Sequence, residues 1–278
     1  MVVEAVPEGK YADVGGGITM HYHDAGRDDR GVVLFLHGSG PGASGWSNFK
    51  GNYPFLVEHG YRTIVPDTMG YGYSTKPEEG AYSLDDVAAQ HKGLLDALGV
   101  SKATLVGNSQ GGAIAITMAL DYPDAVEKLV LMAPGALEAR ETYMEMEGIK
   151  AMIRVLYKEG ISKETMRKVF TLQLHDESKI TDEVIEERYQ VAMTQHKDNI
   201  ARIRVVNLED RLSEIRCPVL CFWGANDKFC PPTGAPKIAS RCVNSRTMLI
   251  SSCGHWVMVE YPKLFNDLTL RFLNDDLG

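Results

Sequence analysis

Cysteine is sparse and unevenly placed. The chain holds five, at positions 217, 221, 230, 242 and 253. The number is odd, and all five fall in the last quarter. That argues against a disulfide framework and fits a reducing, cytoplasmic setting. Zinc-type Cys/His spacing is missing, as are a dinucleotide-binding fingerprint and a phosphate loop, so no metal and no cofactor are expected. No apolar run is long enough to span a bilayer. Residues 1–10 carry two glutamates and no apolar h-region, unlike a secretory signal. Positive charge is outnumbered: 29 Lys and Arg face 37 Asp and Glu, a net charge of −8. This argues against nucleic acid and anionic membranes as partners. What is present is ordinary for a soluble enzyme, 44% hydrophobic and 24% charged over 278 residues. Such a chain suits one α/β domain with an insertion.

The most informative stretch is Gly107-Asn108-Ser109-Gln110-Gly111. It follows a β-rich run, Ala103 to Val106, and precedes a helix-like run from Gly112 to Leu120. Strand, sharp turn, helix is the context in which Gly-x-Ser-x-Gly presents a serine nucleophile. Glycines at 107 and 111 remove Cβ atoms that would clash in the turn. The Gln110 N–H then lies at a helix N-terminus, suited to an oxyanion.

A serine nucleophile needs a base and a group that orients the base. In this arrangement the chain order is Ser, then Asp or Glu, then His, each after a strand. The run Pro218–Trp223 reads as a buried strand and leads to Asp227. Arg246–Ile250 reads as the next strand and leads to His255. The interval leaves room for one helix between two parallel strands. Upstream, Val32–Leu36 is continuously apolar, as expected for a parallel strand covered on both faces. It feeds a Gly-rich loop from His37 to Gly42, in which Ser39 or Gly40 is the expected second oxyanion donor. His37 reads as a loop-shaping residue. Asp67 follows the strand Arg62–Pro66 but precedes Ser109, so it ranks as structural. A helix over 85–98, a strand over Lys128–Met132 and a closing helix over 262–273 complete a mostly parallel, doubly wound sheet.

Texture changes between Pro134 and Cys217. Glycine becomes scarce, while Glu, Lys, Arg and Met recur at helical spacing. The pattern predicts helices over about 141–158, 162–174, 181–195 and 198–206. We expect a helical cap over 136–214, with core segments 1–135 and 215–278, placed over the strand C-terminal ends where ligands bind. Methionines 144, 146, 152, 166 and 193 could line a pocket or simply pack the cap. Arg188 has Val184, Ile185, Val191 and Ala192 as its helical neighbours. An arginine on that stripe either snorkels or pairs at the cap–core seam, or binds a substrate carboxylate.

These residues carry a family resemblance. The segments H-G-S-G-P-G-A-S-G-W-S-N-F (37–49), G-N-S-Q-G-G (107–112), L-V-L-M-A-P-G (129–135), E-E-R-Y (186–189), W-G-A-N-D-K-F (223–229) and C-G-H-W (253–256) are similar to those of α/β-hydrolases of the meta-cleavage-product hydrolase group. These are carbon–carbon bond hydrolases of bacterial aromatic degradation. The resemblance implies an α/β-hydrolase fold and a triad of Ser109, Asp227 and His255. It also implies substrate contacts from Asn48, Asn108, Arg188 and Trp256. Ser39 and Gln110 depart from the group, where glycine and an apolar residue are common. The implied reaction cleaves a 2-hydroxy-6-oxo-hexa-2,4-dienoate. Members are often oligomeric, so a homo-oligomer is an expected state. The competing readings are a carboxylesterase or lactonase with the same triad, and a ligand sensor on the same fold with little turnover. A serine at 109 argues against dehalogenases and epoxide hydrolases, which carry aspartate there.

Overall fold

The computed structural model describes residues 6–79, 82–196 and 202–277. Its centre is an eight-stranded sheet in the order β1-β2-β4-β3-β6-β7-β9-β10. The strands are β1 (Lys10–Asp13), β2 (Thr19–Ala25), β3 (Val32–Leu36), β4 (Arg62–Pro66), β6 (Ala103–Asn108), β7 (Val126–Met132), β9 (Val219–Gly224) and β10 (Ser245–Ile250). β2 runs antiparallel to both β1 and β4, and the strands from β4 through β10 are mutually parallel. The expectation of a mostly parallel, doubly wound sheet is therefore met. The antiparallel pair β1 and β2 went unrecognised in the sequence.

Strands β3, β6 and β9 are buried along their whole length. That is why β3 reads as an unbroken apolar run rather than an alternating one. One face is covered by α3 (Leu84–Ala97) and α4 (Gln110–Asp121), together with α9 (Gly234–Arg241). The other carries α1 (Gly45–Phe49), α2 (Tyr53–Glu58) and α11 (Pro262–Leu273). Chain direction across the sheet reverses beside β3: β4 lies on one side of it and β6 on the other. In open α/β sheets the crevice at such a switch point is where ligands bind. The loops following β3 and β6 both open there.

Residues between β7 and β9 form an insertion. Its helices are α5 (Arg140–Glu145), α6 (Glu147–Arg154), α7 (Lys163–Thr171) and α8 (Asp182–Ala192). Two helical expectations need correcting. The run expected over 141–158 is broken at Met146, whose backbone is extended, and it ends in a π-turn over Val155–Glu159. The break lets the Gly148 N–H reach the Lys228 carbonyl at 2.8 Å. The helix expected over 198–206 falls partly outside the described residues. Within it, Ile203–Arg204 is a short strand, β8, parallel to β5 (Tyr82–Ser83). Tertiary pairing there overrides a helical pattern, and Ile203 is buried by it.

Candidate active site

The turn after β6 is strained as its sequence demands. Ser109 has φ 55° and ψ −117°, outside the regions open to an unstrained L-residue. Its conformation is held from both sides: its N–H donates to the Met132 carbonyl at 3.0 Å, and its carbonyl accepts from Gly135 N–H at 2.9 Å. A Cβ on Gly111 would sit 1.9 Å from the Leu36 carbonyl oxygen, so only glycine lets α4 start this close to β3. Within the buried run 103–119, Ser109 is the one residue that keeps partial exposure. Helix α4 begins at Gln110, and its first N–H groups lack intrahelical partners. The Gln110 side-chain oxygen is buried with no hydrogen-bond partner.

Asp227 and His255 come together from the loops after β9 and β10. His255 Nδ1 lies 2.7 Å from Asp227 Oδ2. The other carboxylate oxygen accepts Phe229 N–H at 2.7 Å and Cys230 N–H at 2.9 Å. Three acceptor contacts fix the carboxylate, and it can only accept. The proton therefore sits on Nδ1, leaving the Nε2 lone pair for a nucleophile. The Phe229 ring stacks on the imidazole at 5.3 Å between centroids and limits its rotation. Asn108 bridges elbow and base, with Nδ2 3.3 Å from the Met132 carbonyl and 3.5 Å from the His255 carbonyl. The Cys230 thiol faces the Ser109 side chain, and burial pushes its pKa well up, so it stays a neutral neighbour.

The loop after β3 lies directly alongside. A Cβ on Gly38 would meet Ser109 Cβ at 3.2 Å. Ser39 faces the buried Tyr71 hydroxyl, and Gly40 takes φ 132°. His37 is a shaping residue by its contacts: Nδ1 bonds the Gly38 carbonyl at 2.7 Å, and Nε2 accepts Thr68 N–H at 2.9 Å. Burial holds its pKa down. Asp67 is spent elsewhere, on His21 Nδ1 at 2.8 Å and the N–H groups of Gly45 and Tyr73.

Arg188, on α8, turns inward. It is 3% exposed. Its guanidinium lies 4.4 Å from the Trp256 ring centroid and 5.4 Å from that of Phe170. One terminal nitrogen donates to the Ser47 carbonyl at 2.8 Å and to Asn48 Oδ1 at 3.1 Å. No carboxylate among the described residues pairs with it; Glu187, paired with Lys50, acts only at a distance. Burial lowers its pKa to about 10, so it remains a cation at neutral pH. A cavity of about 210 Å³ opens onto Arg188, Asn48 and Trp256, with Lys50 and Lys179 in its wall. A larger space of about 500 Å³ is lined by Asp182, Glu183, Glu186 and Glu187 of α8 together with Ser44, Trp46 and Asp67; Ser109, Asp227 and His255 line neither space.

Of the methionines, Met152 and Met166 are buried, and Met152 lies over Gly40. Met144 and Met193 are exposed, at 39% and 59%, and do not line an interior pocket. Several contributors went unnoticed in the sequence: Phe170 and Phe229 by their rings, Gln173 by its carbonyl, which accepts His255 N–H at 2.7 Å, and Glu260. An acid at 260, amid Val257, Met258 and Val259, was the available signal for the last. Among the described residues no cluster of His, Cys, Asp and Glu could hold a metal.

A serine on a strained strand-to-helix turn, beside an Asp–His pair at the ends of parallel strands, defines an α/β-hydrolase architecture. Comparison with known proteins narrows it. Residues 31–262 match the alpha/beta hydrolase fold family. A 2-hydroxy-6-oxo-6-phenylhexa-2,4-dienoate hydrolase of Comamonas testosteroni is 37% identical, over 91% of each chain. A 2-hydroxy-6-oxononadienedioate/2-hydroxy-6-oxononatrienedioate hydrolase of Pseudomonas sp is also 37% identical, over 95% of this chain and 96% of that one. The solved structure of a meta-cleavage product hydrolase from Pseudomonas fluorescens IP01, a serine-to-alanine mutant with bound acetates, superposes with a TM-score of 0.85 at 29% identity, covering 96% and 98% of the two chains. The chain belongs to the α/β-hydrolase family and, within it, to the meta-cleavage product hydrolases.

Proposed function

We infer that this protein hydrolyses the C5–C6 bond of a 2-hydroxy-6-oxo-hexa-2,4-dienoate, with Ser109 as nucleophile, His255 as base and Asp227 as its orienting group. The observation that carries this reading is Arg188. It is a buried cation with stacking and neutral hydrogen bonds but no ion-pair partner among the described residues, next to Asn48 and Trp256. Burying a charge in that state is costly. A substrate carboxylate would offset the cost and make a charge-assisted pair. The insertion over 136–214 then acts as a cap that brings Arg188 over the core.

The chemistry explains why such a site is needed. The substrate's dienol must first ketonise, taking a proton at C5 and giving one up from the 2-hydroxyl. The C2 carbonyl can then receive the electron pair released when C5–C6 breaks. Arg188, Asn48, Asn108 and Trp256 hold the carboxylate end while His255 moves the proton. Ser109 Oγ next attacks C6, its proton passing to His255 Nε2. The oxyanion is held by the N–H of Gln110 and by the 39–40 loop. Collapse breaks C5–C6, the electron pair passing through C3=C4 to the C2 oxygen, which takes the proton back from His255; a 2-hydroxydienoate leaves and an acyl-enzyme remains on Ser109. Water activated by His255 releases the carboxylic acid.

The direct test is turnover of 2-hydroxy-6-oxo-6-phenylhexa-2,4-dienoate by the purified protein. Loss of the dienoate chromophore with equimolar benzoate is the expected outcome. Rapid turnover of simple neutral esters with the dienoate untouched would favour the esterase alternative.

A further inference from the structure

One buried acid lies outside the chemistry just described. Glu260 ends a short helix, α10 (Val257–Glu260), that follows His255. It is 6% exposed. Its Oε2 accepts the Gly254 N–H at 2.5 Å, in the loop that carries the base. Its Oε1 accepts His175 N–H at 2.7 Å and Asp176 N–H at 2.9 Å, both in the cap. Three backbone donors from two separate segments thus converge on one carboxylate. Carboxylates bound this way are held with little freedom, and removing one strands each donor in a buried place.

The same seam carries other links. The Gln173 carbonyl, in the cap, accepts His255 N–H at 2.7 Å and Trp256 N–H at 3.3 Å. Lys179 Nζ, also in the cap, donates to the Glu260 carbonyl at 2.6 Å and to the Val259 carbonyl at 3.3 Å. The approach is close enough to dictate sequence: a Cβ on Gly254 would lie 2.5 Å from the Gln173 carbonyl oxygen. The backbone of His255 therefore hangs from the cap segment 173–176, and Glu260 ties that segment to the residue just before the base.

We propose that Glu260 is a positioning residue that clasps the cap segment 173–176 to the His255 loop, so that seating of the cap and alignment of the base are a single event. The proposal rests on His255 being the base. It goes beyond the reaction assignment, because Glu260 touches neither the substrate nor a reacting atom. A clasp of this kind acts on turnover more than on binding, since a base displaced by about 1 Å loses up to about a hundredfold in rate.

The experiment compares Glu260→Ala and Glu260→Gln in the full chain. Both are assayed with the phenyl dienoate and with p-nitrophenyl acetate, alongside thermal unfolding. The low-field proton resonance of His255 Nδ1–H against Asp227 is recorded well below each variant's melting temperature. Glutamine keeps one oxygen, so it can serve the Gly254 side or the cap side but not both. Glu260→Ala is expected to lower kcat about 30-fold on both substrates, with KM changed less than about threefold, and to broaden the resonance. Glu260→Gln is expected to fall between wild type and alanine on every readout. Should the alanine variant fail to fold, the glutamine variant decides on the same readouts. A folded variant with an unaltered resonance, or with kcat within about twofold of wild type, overturns the proposal. If the wild type leaves the dienoate intact, the substrate assignment fails, and the ester assay still tests the clasp.

Discussion

Core and cap solve different problems with different means. In the core, position is set by parallel strands buried along their length and by a turn in which glycine alone fits. The catalytic candidates sit at strand ends, Ser109 after β6 and His255 after β10, and inherit their rigidity. In the cap, position is set by short helices that touch the core at a few polar points. Gln195 accepts the Gly42 N–H at 2.8 Å, Arg188 reaches Ser47 and Asn48, and Glu260 binds 175–176. The core supplies chemistry that any acyl transfer could use. In the reading proposed above, the cap supplies Arg188, a buried cation that distinguishes a dienoate from a neutral ester. Damage to the core should therefore cost every reaction; loss of the Arg188 charge should cost only the dienoate, whereas damage at the 173–176 seam should reach the base and cost both.

The largest effects are expected in the core. Ser109→Ala, His255→Ala and Asp227→Asn should each reduce kcat by about a thousandfold or more on dienoates and esters alike, with the fold intact by circular dichroism. Near-normal product formation by a folded Ser109→Ala protein would remove the nucleophile assignment. A smaller effect is expected where the cap meets the oxyanion loop. Met152 lies over Gly40, so Met152→Trp should shift kcat/KM toward small C6 substituents by about tenfold across a methyl-to-phenyl panel. An unchanged ranking would place Met152 away from the acyl side.

Arg188 also sharpens the contrast through stability. Burial lowers its pKa from the ordinary guanidinium range to about 10. The unfolded chain then holds that proton more tightly than the folded one. The charge consequently costs stability at all pH values below about 10, and the cost fades only as pH rises from there toward the unfolded value. Arg188→Met should raise the melting temperature of the free enzyme, by an amount equivalent to about 1 kcal/mol, while lowering dienoate turnover. A melting temperature that falls instead would make Arg188 a net structural support. The smallest effect is expected at Met193→Trp. That side chain is exposed, so stability and substrate ranking should move by less than about 0.5 kcal/mol.

Legibility in the sequence divided along the same line. Val32–Leu36, Arg62–Pro66 and Pro262–Leu273 have the bounds expected of them. Burial on both faces, or one clear amphipathic face, leaves a local record in composition. Strand β2 left none, because His21 and His23 occupy buried positions within it as part of a polar cluster around Asp67. The break at Met146 was equally hidden. Nothing at 146 breaks a helix by itself; the break accompanies a bond from Gly148 to Lys228, some eighty residues away. The positions of Ser109, Asp227 and His255 could be read from strand-then-loop spacing alone. Gln173 could not, since it works through its backbone carbonyl, which any residue type possesses.

The central claim is that Arg188 reads a substrate carboxylate from within the cap. The measurement is kcat/KM of Arg188→Gln and Arg188→Lys on a dienoate and on p-nitrophenyl acetate. For the dienoate, the glutamine variant should lose about 2–5 kcal/mol of transition-state stabilisation, because it strands a buried carboxylate. Lysine should recover only part, since a point charge lacks the fork of a guanidinium. Hydrolysis of the ester should barely change in either. Equal losses on both substrates would contradict the account and make Arg188 a support for the cap.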